Sequence, residues 1–176
     1  MSFYDMLRAG ASAGSSIAVN SALAKIVNEG PKNLLKIATS GGKQSTITFT
    51  HNSDGTVTAS ASSASSNNTD HYLNESLYLP AGTYKLTGCP SGGNNNSTFK
   101  IQISGVGYDV GDGKEFTLDS DRSVSVYIRV WAGYVPSDVV FSPMICPIEL
   151  YNISDEFVQY IPSNKELYEM ILAMQE

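Results

Sequence analysis

The feature of this sequence that most constrains its fold is a strict alternation of apolar and polar residues within one segment. The apolar positions of this segment are Val124, Val126, Ile128 and Val130. The positions between them are held by Ser125, Tyr127 and Arg129. A period of two residues places the two sets on opposite faces of a β-strand. The segment is therefore predicted to be a strand with one face in a core and the other face outside it.

Shorter segments with strand-like patterns occupy much of the region between residues 33 and 150. The most secure hairpin joins an arm around Ile47 and Phe49 to Thr56–Ala59, through a turn at Asn52–Gly55 in which Gly supplies the positive φ angle. The other predicted strands are one that ends with Leu77–Leu79, Thr83–Thr87, Phe99–Ile103, a hairpin arm that begins with Phe116 and Leu118, and Val139–Phe141. About eight or nine short strands separated by Gly, Asn and Ser turns predict a mainly β fold, an antiparallel jelly-roll-like β-sandwich.

The two flanks of this region are predicted to form short helices. Before Gly30 and Pro31, apolar residues recur at helical spacing. The candidate attachment or oligomer contacts in this stripe are Val19, Leu23 and Ile26. Near the other end, Ser163–Glu166 has the pattern of a capping box. The candidate oligomer contacts that follow it are Leu167, Met170, Ile171 and Met174.

Helices this short are marginal in water, so both stripes are expected to contact another chain or the β region. The sequence thus divides into three parts. Residues 1–32 form a helical attachment segment, residues 33–150 the β-sandwich domain, and residues 151–176 a linker with a short helix.

The charge balance bears on the class of partner. The chain has 11 basic and 17 acidic residues, a net charge of −6, so it lacks the basic footprint of a nucleic-acid-binding protein. No run of 18 apolar residues occurs, and no membrane span or signal peptide is expected. The polarity comes instead from 62 Ser, Thr, Asn and Gly residues, which is typical of an extracellular or virion β protein.

Residue patterns that would indicate catalysis are sparse. His51 and His71 are expected to lie in polar loops in contact with solvent, and no nucleophile motif accompanies them. Neither an enzymatic activity nor a cofactor is expected. Cys89 and Cys146 give neither a disulfide framework nor a metal spacing. They are expected to be small, partly buried residues, and their pairing is left open.

Several carboxylates cluster in one part of the sequence. They are Asp109, Asp112, Asp119 and Asp121. Their positions in or beside Gly-containing turns favour a turn-forming role, because Asp side chains bind nearby backbone N–H groups. A Ca²⁺ site is the alternative, since Ca²⁺ takes six to eight oxygen ligands.

The remaining candidate site is aromatic. Trp131 follows Tyr127 and Arg129 at the same two-residue spacing, so it is expected on the same face of the strand, outside the core. Tyr134 follows in the next turn. Three interpretations stay open for this group. It binds a glycan, it forms a protein–protein interface, or its loop folds back so that Trp131 caps an open end of the sandwich. The Asn- and Ser-rich loops at 62–70 and 88–97 either line a binding surface or are tolerated connections.

Several short stretches resemble, in the same order, tail and appendage proteins encoded by phages and prophages of Gram-positive gut bacteria. These stretches are Met1–Ala9, Asn33–Leu35, Asp54–Thr58, Leu79–Tyr84, Phe141–Ile145 and Phe157–Leu167. The resemblance covers most of residues 33–167. The flanks here are shorter than in many members of the family, which favours an accessory or decorating subunit.

The resemblance implies a non-enzymatic virion structural protein of a tail, baseplate, fibre or decorating appendage. Its first segment would attach it to other virion proteins, and a sandwich similar to carbohydrate-binding modules would face outward and contact host surface polysaccharide. Proteins of this kind are commonly homotrimers that assemble in the host cytoplasm and leave by lysis. The alternative, from another class, is a carbohydrate-binding module of a bacterial surface or secreted protein.

Overall fold

The structure is a computed structural model that describes residues 32–152 and 154–160. Both predicted terminal helices lie outside the described residues. So do the candidate contacts on them, namely Val19, Leu23, Ile26, Leu167, Met170, Ile171 and Met174. These expectations therefore stay predictions.

Eleven β-strands and one short α-helix form within the described residues. The strands are β1 (Gly42–Gln44), β2 (Ile47–His51), β3 (Val57–Ala61), β4 (Thr69–Leu79), β5 (Gly82–Thr87), β6 (Phe99–Ile103), β7 (Gly107–Asp109), β8 (Lys114–Leu118), β9 (Arg122–Val130), β10 (Val139–Phe141) and β11 (Met144–Pro147). The helix, α1, covers Ile148–Tyr151. The prediction of a mainly β chain is confirmed for this part of the sequence.

The strands are arranged in three antiparallel sheets. Sheet A has the order β1-β2-β3-β10, sheet B the order β4-β9-β6-β7, and sheet C the order β11-β5-β8. The end of β5 crosses the connection between β10 and β11 so closely that a Cβ atom at Gly88 would lie 1.9 Å from the carbonyl oxygen of Ser142. Gly88 also has a φ of 104°, a value that side chains rarely allow. Only glycine fits this crossing between sheets A and C.

One hydrophobic core is shared by the three sheets. Sheets A and B meet where Phe49 of β2 stacks on His71 of β4, with ring centroids 4.3 Å apart. They meet again where Phe99 of β6 and Phe141 of β10 lie edge to face at 5.4 Å. Leu86 of β5 brings sheet C into the same cluster. Burial of apolar surface stabilises such contacts by roughly 25 cal/mol per Å².

Strand β9 is paired on both sides, with β4 along one edge and β6 along the other. Its predicted alternation is confirmed, since Val124 is 4% exposed while Val126 and Ile128 are fully buried. The predicted hairpin is confirmed as well, because β2 and β3 pair in register from Ile47 to His51. The prediction that Phe116 and Leu118 begin a hairpin arm is wrong, because β8 pairs with β5 in sheet C and not with the strand before or after it.

The prediction that the loop extends to Asp70 and that His71 lies in a polar loop is wrong, because both residues belong to β4. The strand begins at Thr69, and the buried face of its first half carries Thr69, His71 and Leu73. Two of these three residues are polar, so the alternation that marks a half-buried strand is hidden in the sequence.

The two ends of the described chain are joined by the side chain of Asn33, which is 2% exposed. Its Nδ2 donates to the carbonyl oxygens of Val158 and Pro143, at 2.9 and 3.3 Å. Its Oδ1 accepts from the backbone N–H groups of Leu35 and Ile145, at 2.9 and 3.3 Å. The amide uses both donor hydrogens and both acceptor positions. Residues at the start and the end of the described chain are therefore neighbours.

The two histidines do not lie in solvated loops. His51 is the last residue of β2, and His71 lies in β4 with 1% of its surface exposed. Their Nε2 atoms are 2.8 Å apart, so one ring donates a hydrogen bond to the other. His51 also has a hydrogen bond with the backbone of Thr39. The pair thus links sheet A to sheet B through its rings.

This hydrogen bond requires that at least one of the two facing nitrogens carries no proton. The Nδ1 atom of His71 is buried, with no hydrogen-bond partner among the described residues. Burial, followed by the charge of His51, lowers the pKa of His71 to about 4. Burial also lowers the pKa of His51. Both rings are therefore held neutral in the folded protein.

The neutral pair predicts a stability that falls in mild acid. Both folded pKa values lie below the unfolded value of about 6.5, so the unfolded chain binds more protons as the pH falls. The contribution is fully present above pH 6.5 and is lost between about pH 6.5 and 4, up to about 3 kcal/mol for His71. Urea unfolding at pH 7 and pH 5 measures this loss. His71→Leu, which cannot titrate, is expected to show a smaller loss, and parallel pH profiles would contradict the account.

Candidate functional site

The outer face of sheet B carries two rows of side chains that cross its strands. The first row pairs Asp70 of β4 with Arg129 of β9, and Arg129 with Lys100 of β6. The second row consists of Tyr72, Tyr127, Gln102 and Tyr108. Residues opposite each other on paired strands share a face of the sheet. These seven residues, together with Trp131 at the end of β9, are called the sheet B platform.

Arg129 is the most firmly held charge of the platform. Its Nε and Nη2 atoms donate to the two carboxylate oxygens of Asp70, each at 2.6 Å. Such a two-point contact fixes the plane of the guanidinium group. The hydrogen bond to Asp70 raises the pKa of Arg129. The guanidinium carbon lies 5.5 Å from the ring centroids of both Tyr127 and Trp131.

Lys100 is the second cation, and it is only 5% exposed. Its Nζ lies 5.0 Å from the ring centroid of Tyr108 and 5.4 Å from that of Trp131. It donates a hydrogen bond of 2.7 Å to the side-chain oxygen of Asn95. Burial, followed by the positive charge of Arg129, lowers the pKa of Lys100. The ammonium group is thus placed among ring faces and a neutral amide.

Trp131 is half-buried and held by hydrogen bonds on two sides. Its backbone N–H donates to the carbonyl of Thr98 at 2.9 Å, and its Nε1 donates to the carbonyl of Asn94 at 3.2 Å. Its own carbonyl accepts from the N–H of Tyr134 at 3.2 Å. The indole is therefore fixed beside Arg129 and Lys100, with part of its surface open to solvent.

Two Asn-rich loops flank Trp131. In the loop before β4, the Asn68 side chain accepts from the N–H of Ala132 at 3.0 Å, and the Ser65 carbonyl accepts from Gly133 at 2.9 Å. The loop before β6 supplies Asn94 and Asn95, which contact Trp131 and Lys100. Both loops were proposed as possible linings of a binding surface. The loop before β6 contacts the platform itself, and the loop before β4 contacts the turn that follows Trp131.

The structure brings together three of the four predicted site residues. Trp131, Tyr127 and Arg129 belong to the platform. Tyr127 is 7% exposed, because Tyr72 lies 5.3 Å away and Arg129 lies over its ring. Tyr134 lies elsewhere, packed against the core with its ring 5.6 Å from that of Phe99. Of the two aromatic residues in this turn, Tyr134 is therefore the one packed against the core.

Five platform residues were missed as site residues, and the reasons differ. Lys100 and Gln102 alternate with the apolar residues of β6, so their outward position was visible but their neighbours were not. Asp70 and Tyr72 were missed because the sequence pattern did not predict that β4 begins at Thr69. Tyr108 lies in β7, a strand of three residues that is too short to show a period.

Two of the four carboxylates proposed as an alternative Ca²⁺ site, Asp109 and Asp121, have separate hydrogen-bond partners. Asp109 is 1% exposed and accepts hydrogen bonds from the backbone N–H groups of Cys89, Gly111 and Gly113. Asp121 accepts from the Tyr78 hydroxyl at 2.6 Å and from the Ala81 N–H at 2.8 Å. Asp112 and Asp119 are exposed. Among the described residues, no group of three or more His, Cys, Asp or Glu side chains is placed to hold a metal ion. The bonds of Asp109 are those that the turn interpretation predicts.

Both cysteines are buried and unpaired. Burial, with a smaller effect from Asp109, raises the pKa of Cys89 to about 12. Burial likewise raises the pKa of Cys146 to about 11. Neither thiol is therefore ionised near neutral pH, and a thiolate is the form that reacts as a nucleophile.

Comparison of the chain with protein-family models, with curated proteins and with solved structures finds no match. Within residues 32–152 and 154–160, no helix has the length and apolar character needed to cross a membrane.

Proposed function

We propose that this protein is a non-enzymatic structural component of a bacteriophage virion and that its sheet B platform binds glycans on the host surface. The single observation that carries the binding proposal is the placement of the half-buried Trp131 beside Arg129, Lys100 and two Asn-rich loops. The assignment to a tail, baseplate, fibre or decorating appendage rests on the resemblance of the sequence to such proteins.

The composition of the platform suits a sugar better than a flat apolar partner. One side of a pyranose presents C–H groups that stack on an aromatic ring, while its hydroxyl groups need hydrogen-bonding partners. Trp131 offers the ring, and the exposed amides of Asn67, Asn68, Asn94 and Asn96 lie in the two flanking loops. A rigid aromatic anchor surrounded by a few fixed polar groups is the usual composition of small-ligand sites.

The three sheets are further proposed to be two layers of a jelly-roll-like sandwich, with sheets A and C side by side and sheet B opposite. Only Ser142 and Pro143 separate β10 of sheet A from β11 of sheet C. The N–H of Ser142 donates to the carbonyl of Gly88, just beyond β5, at 2.9 Å. The ring contacts of Phe49 and Phe141 with residues of sheet B support the opposite layer.

Attachment to the particle is assigned to the segments outside the β unit. Because Asn33 binds the carbonyl of Val158, the chain enters and leaves this unit at neighbouring points. The same proposal includes a homotrimer of this protein that binds other virion proteins. Assembly takes place in the host cytoplasm, and the particles leave by lysis.

A carbohydrate-binding module of a bacterial surface or secreted protein is the second candidate. The same observation favours it, since the platform would bind glycans equally well on either kind of protein. The two candidates differ in whether the protein is found in particles.

Replacing Trp131 with Ala is expected to abolish retention on host cells. Loss of an aromatic residue that anchors an interface costs about 2 kcal/mol or more, which corresponds to at least roughly 30-fold in affinity. Retention of the labelled protein on host cells and on their extracted polysaccharide measures the effect. Circular dichroism and the thermal midpoint show whether the variant is folded.

Tyr78→Ala provides the matched control. Like Trp131, Tyr78 is an aromatic residue of sheet B, and it is 60% exposed. It lies outside the platform, because it pairs with Ser123 at the end of β4 that is far from Tyr72. This variant is expected to retain its binding. Retention of Trp131→Ala at the wild-type level would assign Trp131 a structural role only.

Removing residues 1–31 is expected to leave a folded β unit that no longer joins particles. The core and the Asn33 contacts begin after this segment, so the unit loses none of its described contacts. Sedimentation of particles assembled with tagged full-length or shortened protein measures incorporation. Normal incorporation of the shortened form would contradict the attachment proposal. Absence of the full-length form from particles would favour the bacterial module.

A further inference from the structure

The charges of the sheet B platform are unevenly paired. Asp70 and Arg129 neutralise each other through two hydrogen bonds of 2.6 Å. Lys100 has no carboxylate contact among the described residues, since its Nζ meets only the Asn95 side-chain oxygen and the rings of Tyr108 and Trp131. The platform therefore carries one unneutralised positive charge on a chain whose net charge is −6.

The surroundings of Lys100 make this charge costly. The residue is 5% exposed, so burial removes part of the hydration that a charged ammonium group needs. Ring faces attract a cation, but they replace its hydration only in part. Arg129, a second cation opposite Lys100 on the neighbouring strand, adds to burial in lowering the pKa of Lys100, while the charge of Asp70 acts in the opposite direction. An anion brought to this position would relieve both effects.

The ammonium group of Lys100 has N–H donors left over for such an anion. An ammonium group has three N–H donors, and the Asn95 side chain accepts from one of them. The Nζ atom lies 5.4 Å from the ring centroid of Trp131. A sugar stacked on this ring would bring an acidic substituent beside the ammonium group. Arg129 is already neutralised by Asp70, which accepts from its Nε and Nη2 atoms, so Lys100 is the platform cation without a carboxylate contact among the described residues.

We propose that the platform binds a saccharide bearing a carboxylate or phosphate group, and that Lys100 determines this preference by pairing with the anion. The inference rests on the proposed glycan binding and specifies its substrate class. The overall charge of the chain disfavours acidic polymers in general. A preference for them therefore requires a local cation, and Lys100 is the one that the platform leaves unpaired.

Two matched pairs of polymers test the proposal and distinguish the two kinds of anion. Polygalacturonate is compared with its fully methyl-esterified form, and phosphomannan with the same mannan after removal of phosphate. Affinities of the full-length protein for each polymer, immobilised on a sensor surface, are measured at low and high salt. The expected result is tighter binding, by about tenfold or more, to the acidic member of at least one pair. This difference should shrink at high salt.

Lys100→Gln is expected to remove the difference within the pair, and Lys100→Arg to restore part of it. Lys43→Gln is the control, because Lys43 is an exposed lysine of β1 in sheet A. It is expected to bind like the wild-type protein. The thermal midpoint of each variant, compared with that of the wild-type protein, shows whether the fold is intact.

The outcomes separate this inference from the function on which it rests. Equal binding to both members of each pair would overturn the inference and leave glycan binding in place. A preference that persists in Lys100→Gln would overturn the role of Lys100. Failure of the wild-type protein to bind any of the four polymers and to be retained on host cells would count against glycan binding itself.

Discussion

The alternation of side chains along β9 is the constraint on which both the core and the platform depend. Its apolar residues are buried at 4% exposure or less, and its other face carries Tyr127 and Arg129. A register shift of one residue would exchange the two faces, exposing Ile128 and burying Arg129. Since β9 pairs with β4 on one side and β6 on the other, the same register aligns Asp70, Arg129 and Lys100.

This arrangement places the proposed binding groups mainly on strands and not on free loops. Arg129 is fixed by Asp70 from the neighbouring strand, and Trp131 is held by the loop that precedes β6. Groups positioned in this way lose little freedom when a ligand binds, which is the advantage of a preorganised site. Below the platform, the neutral pair of His51 and His71 joins the sheets that support it.

Local patterns allowed several parts of the fold to be predicted. The hairpin of β2 and β3, the strand β9 and the outward phase of Trp131 follow from alternation and turn residues alone. The buried face of β4 was not recognised because His71 is buried by stacking on Phe49, a contact between distant residues. The row from Asp70 to Lys100 also depends on strand pairing, which one sequence does not specify. Tyr134 and Trp131 lie in one turn, and only packing against Phe99 decides which of them faces the core.

The most direct measurement of the central claim uses the single tryptophan of the chain as its probe. Because Trp131 lies in the platform, its fluorescence reports on whatever occupies that face. Titration with polysaccharide extracted from host cells is predicted to give a saturable change in Trp131 emission, with the midpoint found for retention on those cells. Saturable binding of the polysaccharide with no change in Trp131 emission would place the binding site elsewhere and contradict the account.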